Sequence, residues 1–174
     1  TINFLVAAES PFSDPIPQWA LPSIMNLNEL GIVTGYTEGE RAGQYGSADP
    51  VARSQIVTLL GRVLEYANLI GPQTGRDCYA DVYPGHFAYN WTTLFANQGW
   101  SDPGDFFSPD EDAPRGVVAS FVARSVGPTL MSALGINPDA LMGEQLFDDV
   151  PLGSLHFGDT AITDRKSTRL NSSH

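Results

Sequence analysis

Three stretches of this chain follow one pattern, in which an aromatic residue, any residue and an aspartate precede a turn rich in proline or glycine. The three stretches are FSDPIPQWALPSI, YADVYPGHFAYNWTTL and FDDVPLGSLHFGDTAI. Their aspartates, Asp14, Asp81 and Asp149, lie 67 and 68 residues apart. A nearly constant period predicts a repeat protein, in which each unit buries its apolar face against its neighbours.

Each full copy is predicted to contain a helix, a loop and a second helix. In the first copy a short helix ends at Gly31, and its apolar face is Trp19, Ile24, Leu27 and Leu30. A loop punctuated by glycines follows, and Asp49 and Pro50 are predicted as N-cap and first residue of the second helix. The predicted inward face of that helix is Ile56, Leu59, Leu60, Val63 and Ala67.

The second copy repeats this plan. One helix is predicted from about residue 88 to 97, before Gly99, and another from about 114 to 126. The inward face of the latter is Val117, Val118, Phe121 and Val122. The predicted organisation is a linker at 1–9, repeats at 10–68 and 77–128, connecting helices at 129–146 and an incomplete third repeat at 147–163.

The last eleven residues, DRKSTRLNSSH (164–174), differ in character from the rest and contain the only lysine, Lys166. They match a one-frame translation of a common sequencing adapter and are interpreted as an artefact, with a natural basic tail as the alternative. This tail carries three of the nine basic and one of the twenty acidic residues, so without it the net charge is −13 rather than −11. The start at Thr1 rather than Met indicates an internal fragment or a processed start.

The acidic balance argues against nucleic acid as a partner, because binding to nucleic acid depends on basic contacts to phosphate. Such an acidic balance ordinarily indicates a solvated acidic surface. The single Cys78 permits no internal disulfide. No apolar run reaches the ~20 residues that cross a bilayer, so no transmembrane segment is predicted.

Further motifs accompany the repeat in a fixed order: an aromatic-x-Asp opening, a Trp-Ala pair, a Gly-Tyr loop, a Phe-x-Pro and an arginine at the start of the second helix. In the first copy these are Phe12-Ser13-Asp14, Trp19-Ala20, Gly31 to Gly39 and Val51 to Gln55. In the second they are Tyr79 to Val82, His86-Phe87-Ala88, Gly99, Phe107-Ser108-Pro109 and Ala113-Pro114-Arg115, and in the third Phe147 to Pro151. Together they resemble the S-layer homology module, by which bacterial surface proteins attach to the cell envelope.

The chain departs from the family pattern at the second helix. Ala52 and Pro114 stand where the family has a threonine before the arginine, and Val117 replaces an acidic or amide residue. The second copy also lacks the Gly-Tyr loop. These departures make the second copy the weaker candidate for ligand binding.

The resemblance implies an all-α fold of helix-loop-helix repeats, packed here as an incomplete pseudo-threefold bundle. It implies grooves between repeats that bind cell-wall polysaccharide, in some members pyruvylated, or peptidoglycan, and a location outside the cell at the bacterial envelope. The candidate ligand-binding residues are Arg53, Trp19, Asp14, Gly35, Tyr36, Gln55, Arg115 and Asp81. The expected role is anchoring without catalysis, cofactor or metal, and chains are expected to pair through the incomplete third repeat.

Physical chemistry agrees with an anionic ligand at the repeated arginine. An arginine in the first turn of a helix would place its forked guanidinium beside unpaired backbone N–H groups and the positive end of the helix dipole. Trp19 would offer a flat apolar face to a sugar ring. The overall negative charge opposes such a ligand, but at physiological salt the Debye length of ~8 Å lets a local pocket prevail.

Structural roles are the alternatives at the same positions. Arg53 and Arg115 could instead form ion pairs with Asp14 or Asp81. The aspartates are expected to organise the turn through backbone hydrogen bonds rather than to contact ligand. Trp19 is either a core residue or a sugar platform.

Signals of other chemistry are weak. Arg62 and Arg124 are expected to complement the dipoles of the helices that they end. His86 and His156 lie in corresponding turns without a catalytic partner, and the acidic loop DPGDFFSPDEDAP does not have the spacing of an EF-hand.

Two alternatives to a glycan-binding anchor remain: a fragment of a secreted hydrolase without its catalytic domain, and a structural repeat that binds no glycan.

Overall fold

The computed structural model describes residues 10–73, 77–102 and 104–135. The predicted linker, most of the connecting segment, the third copy with Asp149, and the C-terminal tail lie outside these ranges. Within them the backbone forms five α-helices and one 3-10 turn, with no strand. The prediction of an all-α fold is confirmed for this part of the chain.

The chain divides by its internal contacts into two compact units, Thr1–Pro50 and Val51–His174. This division falls inside the predicted first repeat. In the first unit, α1 (Leu21–Glu29) is followed by a 3-10 turn at Gly39–Arg41. Pro22 lies in the first turn of α1, where its missing N–H has no intrahelical partner to lose.

Gly31 ends α1 as predicted. Its φ of 70° is the left-handed conformation that glycine adopts without steric cost. It lets the N–H groups of both Ile32 and Val33 donate to the carbonyl of Leu27, at 2.9 and 3.1 Å. Trp19 is not part of this helix, since it lies in the turn that precedes it.

The second unit contains α2 (Arg53–Tyr66), α3 (Tyr89–Asn97), α4 (Arg115–Ser125) and α5 (Gly127–Leu134). Helix α2 packs against α3 and α4, and α4 packs against α5. The core between them is rich in aromatic rings and consists of Val57, Tyr79, Val82, Ala88, Trp91, Leu94, Phe95, Phe107 and Phe121. Helices α3 and α4 begin and end within one residue of the predicted limits.

The predicted start of α2 is wrong. Its N-cap is Ala52 rather than Asp49, and Pro50 lies outside the helix. The side chain of Gln55 accepts the N–H of Ala52 at 2.8 Å, which is the half of a capping box that needs no polar side chain at the N-cap. Asp49 is used elsewhere, because its carboxylate accepts hydrogen bonds from Tyr36 and Arg41.

The predicted inward face of α2 is correct only in part, since Ile56 and Leu60 are partly buried and pack against the core. The fully buried residues are Ser54, Val57, Thr58, Gly61 and Leu64, whereas the five predicted ones are partly or fully exposed. Two helices pack on α2, and the small residues allow close approach. A side chain on Gly61 would overlap the indole ring of Trp91 in α3.

The inward face of α4 is predicted correctly only in part. Phe121 is buried, but Val117, Val118 and Val122 are partly exposed. The other fully buried residues are Ser120, Ala123 and Ser125. As in α2, small residues occupy the places nearest the neighbouring helices.

Candidate functional site

Two of the candidate residues, Asp14 and Asp81, hold loops by the same hydrogen bonds. The carboxylate of Asp14 accepts the N–H groups of Tyr45 and Gly46 at 2.6 and 2.9 Å. That of Asp81 accepts those of Phe107 and Ser108 at 2.8 and 2.7 Å. Both aspartates therefore organise a turn, and neither forms an ion pair with Arg53 or Arg115.

The aromatic residues around these aspartates also match. The rings of Phe12 and Tyr45 lie 5.4 Å apart with an interplanar angle of 52°, and those of Tyr79 and Phe107 lie 5.3 Å apart at the same angle. The second donor residue of each pair, Gly46 or Ser108, has a positive φ. The two loops thus share a backbone path, with Tyr45 in the place of Phe107.

The pKa of the Asp14 carboxyl lies below its ordinary value of 3.8. The main cause is the hydrogen bond from the N–H of Tyr45, and the N–H of Gly46 acts in the same direction. The carboxylate form is the one that holds this loop.

Gly35 and Tyr36 shape the first loop. Gly35 has a φ of 65°, and a Cβ there would overlap the carbonyl of Gln44 and the ring of Phe12. Tyr36 pairs its backbone with Gln44 and donates its hydroxyl to Asp49 at 2.9 Å. These contacts support a structural role for Gly35 and Tyr36.

Arg41 completes this loop and was not among the candidate residues. Its guanidinium forms an ion pair with Asp49 and lies 4.3 Å from the centroid of the Tyr36 ring. The ion pair lowers the pKa of Asp49 and raises that of Arg41. The glycine-rich composition of the loop gave no signal for this cluster.

Arg53 lies at the start of α2, against the loop held by Asp81. Its Nε donates to the carbonyl of Phe107 at 2.8 Å, and its guanidinium carbon lies 5.0 and 5.6 Å from the ring centroids of Phe107 and Phe121. The side chain is partly exposed. Its Nη1 and Nη2 atoms make no hydrogen bond or ion pair with any residue in the described ranges.

The expected free N–H groups beside Arg53 are absent, which corrects the mechanism inferred from the sequence. The N–H of Arg53 donates to the carbonyl of Glu111 at 2.9 Å, and that of Ser54 to Pro109 at 3.0 Å. The start of α2 is therefore closed by protein carbonyls. Within the described part of the chain, the Arg53 donors that remain without a partner are the Nη groups of its guanidinium.

Gln55 and Arg115, the other candidates in the second helices, are not equivalent to Arg53. Gln55 is committed to the N-cap of α2, as described above. Arg115 begins α4 and is exposed. Among the residues that the structure describes it has no ion pair.

Trp19 is a surface residue, so the interpretation of it as core is wrong. Its side chain is 86% exposed. It directly precedes Ala20, the N-cap of α1, just as Phe87, which is 59% exposed, precedes Ala88, the N-cap of α3. An exposed aromatic ring therefore occurs at the same place in both segments.

Of the two arginines that were expected to complement the dipoles of the second helices, only one lies in a last turn. Arg124 lies in the last turn of α4 and also forms an ion pair with Asp102 at 2.9 Å. Arg62 does not lie in the last turn of α2, since that helix continues to Tyr66.

No group of three or more metal-ligating side chains occurs among the described residues. In that part of the chain no single helix is long and apolar enough to cross a membrane; α4 and α5, bent by 59°, reach that length and composition only as a pair.

Comparison with known proteins gives no assignment. No protein-family model matches the chain, and no curated protein sequence matches it significantly.

Proposed function

We propose that this chain is a non-catalytic anchor of the S-layer homology type, which attaches a bacterial surface protein to the cell wall by binding an acidic polysaccharide. The two segments with matching loops are taken as repeats of one incomplete bundle. The observation that carries the proposal is the environment of Arg53.

Arg53 has the properties of a fixed anion-binding donor. Its Nε bond to Phe107 and the aromatic rings of Phe107 and Phe121 hold the guanidinium in one orientation, which reduces the entropy lost on binding. The two Nη groups without partners in the described ranges form the fork that matches a carboxylate. By contrast, Arg41 and Arg124 are neutralised by Asp49 and Asp102.

Trp19 supports a saccharide as the ligand. A flat indole ring that is 86% exposed is accessible for stacking on the apolar face of a sugar. Since the chain carries a net charge of −11, attraction to an acidic glycan must be local to the arginine rather than general.

The test uses sedimentation with purified cell-wall sacculi, before and after hydrofluoric acid removes their secondary polysaccharide. We expect the wild-type chain to be retained only by untreated sacculi, with Trp19→Ala and Arg53→Lys each weakening retention by about tenfold or more. Tyr66→Ala, which removes another exposed aromatic residue (58%), is the matched control and should bind as wild type.

The variants separate a lost site from a lost fold. Trp19 is on the surface, so its removal should leave the thermal melt unchanged. Arg53→Lys keeps the charge and the packing of the stem but not the fork. Retention of both variants at the wild-type level, or equal retention by stripped sacculi, would overturn the proposal.

A further inference from the structure

One peptide unit, between Phe107 and Ser108, joins the carboxylate of Asp81 to the guanidinium of Arg53. Its N–H, which belongs to Ser108, donates to Oδ2 of Asp81 at 2.7 Å. Its carbonyl oxygen, which belongs to Phe107, accepts Nε–H of Arg53 at 2.8 Å. Because the N–H and C=O of a trans peptide point in opposite directions, the carboxylate and the guanidinium lie on opposite sides of one planar group. All four residues belong to the second compact unit.

Both hydrogen bonds of this peptide involve an ionised group, and both polarise the peptide in the same direction. The carboxylate attracts the N–H proton and shifts electron density towards the carbonyl oxygen, to which the guanidinium then binds. Charge-assisted hydrogen bonds are about twice as strong as neutral ones, and hydrogen bonds in series strengthen one another. The charge of Asp81 therefore strengthens the bond that holds Arg53, although the two side chains form no ion pair.

The Phe107 carbonyl is fixed by its surroundings on both sides. The other oxygen of Asp81 accepts the N–H of Phe107 at 2.8 Å. The residue before Asp81 pairs with the same loop, since the N–H of Ala80 donates to the carbonyl of Asp105 at 2.8 Å. The Phe107 ring is 1% exposed and stacks on that of Phe121 at 6.2 Å and 10°. The carbonyl is therefore held in place by contacts other than its bond to the guanidinium.

The bond to Phe107 determines which edge of the guanidinium can bind an anion. A guanidinium offers a carboxylate either the edge formed by Nε and one Nη or the edge formed by the two Nη groups. In Arg53 the Nε–H is taken by the Phe107 carbonyl, and the guanidinium lies near the rings of Phe107 and Phe121. An anion is therefore bound end-on, by the edge of the two Nη groups.

We propose that Asp81 is a positioning residue for Arg53, which acts through the Phe107–Ser108 peptide and directs the Nη edge of the guanidinium towards an anionic ligand. Arg53 and Asp81 lie in successive copies of the sequence motif, so the arginine of one copy is oriented by the aspartate of the next. That Arg53 binds an anion rests on the proposed function. That Asp81 holds its guanidinium rests on the hydrogen bonds alone.

NMR spectroscopy of the full, isotope-labelled chain tests the positioning without a ligand. The Nε–H resonance of Arg53 is identified by its loss in Arg53→Lys, and its exchange with water is measured. We expect Asp81→Asn, which removes the charge and nearly keeps the shape, to speed this exchange by about tenfold or more. The matched control is Asp14→Asn, because Asp14 holds the corresponding Tyr45–Gly46 peptide, and it should leave this exchange unchanged. Exchange at the wild-type rate in Asp81→Asn would overturn the proposal.

A second variant separates the orientation of Arg53 from the folding of the loop. Ser108 has a φ of 56°, a conformation that glycine adopts at lower cost. Ser108→Gly in the Asp81→Asn background should therefore recover part of the lost melting temperature, while exchange of the Arg53 Nε–H stays fast. Recovery of slow exchange together with stability would show that the carboxylate only holds the loop, which contradicts the proposal.

A double-mutant cycle for retention by untreated sacculi tests the coupling in binding. We expect Asp81→Asn to weaken retention by about tenfold, as Arg53→Lys does, and the double variant to bind no more weakly than the weaker of the two single variants. Losses that multiply in the double variant would show independent roles and refute the positioning. If Arg53→Lys binds as wild type, the proposed function fails, whereas the exchange of the Nε–H still decides whether Asp81 holds the guanidinium.

Discussion

The loops held by Asp14 and Asp81 have the same backbone design and differ in what covers them. Each carboxylate accepts two consecutive N–H groups, and each loop sets an aromatic ring against another at 52°. Phe107 is then buried beneath Arg53, while Tyr45 is half-buried. The conformation of such a loop is therefore determined by its own local contacts, whereas its contribution to a core depends on the element that packs on it.

The largest expected difference between the loops is in the aromatic residue. Phe107→Ala should lower the free energy of unfolding by about 3–5 kcal/mol, because it leaves a cavity beside Phe121 and Arg53. Tyr45→Ala should cost about 1 kcal/mol. Urea denaturation at a low protein concentration measures both. Equal losses would show that the two rings are buried to the same extent in solution.

A second comparison concerns Gly61 of α2 and Ala123 of α4, each the ninth residue of its helix. Gly61→Ala should destabilise the chain by about 1–3 kcal/mol, since the new methyl group would overlap the Trp91 ring. Ala123→Gly should cost about 1 kcal/mol through helix propensity and lost burial. Both are measured by urea denaturation. A stabilising Gly61→Ala would mean that α2 and α3 are less closely packed than described.

The smallest effect is the pH dependence of the first loop. Folding lowers the pKa of Asp14 below 3.8, so its stabilisation is fully present above that value and is lost as the pH falls through the folded-state pKa. The amide resonances of Tyr45 and Gly46 should therefore shift and broaden only below about pH 4.

Two variants show which carboxyl group causes this acid transition. Asp14→Asn should remove the acid transition from the two amides, because the side chain no longer changes charge. Asp49→Asn removes the other carboxyl of lowered pKa in this loop and should leave the Tyr45 transition in place. A transition that follows Asp49 rather than Asp14 would contradict the assignment.

Local signals in the sequence predicted much of the fold. The limits of α3 and α4 and the stop of α1 at Gly31 follow from periodicity and from glycine's access to positive φ. The role of the aspartates as turn organisers also follows from residue type, because a short carboxylate readily accepts nearby backbone N–H groups. These features depend on residues that are close in the chain or occur in a repeated motif.

The environment of Arg53 could not be predicted from the sequence. Its first-turn N–H groups were expected to be free for an anion, but Pro109 and Glu111 occupy them from more than fifty residues away. Likewise Asp49 and Pro50 have the residue types of a helix start, yet Tyr36 and Arg41 hold Asp49 in the loop. Propensity ranks local conformations and does not tell which distant partner will compete for a polar group.

By itself the sequence determined the helical class, the order of helices and loops in the described part, and the positions of the paired aspartates. Periodicity, glycine conformation and carboxylate chemistry act over a few residues, so they can be recognised without coordinates. The tertiary structure determined which face of α2 is buried, which arginine is held on aromatic rings and which ring stays half-exposed. These depend on packing between segments distant in the chain, where shape and hydrogen-bond competition select one arrangement among many that the pattern allows.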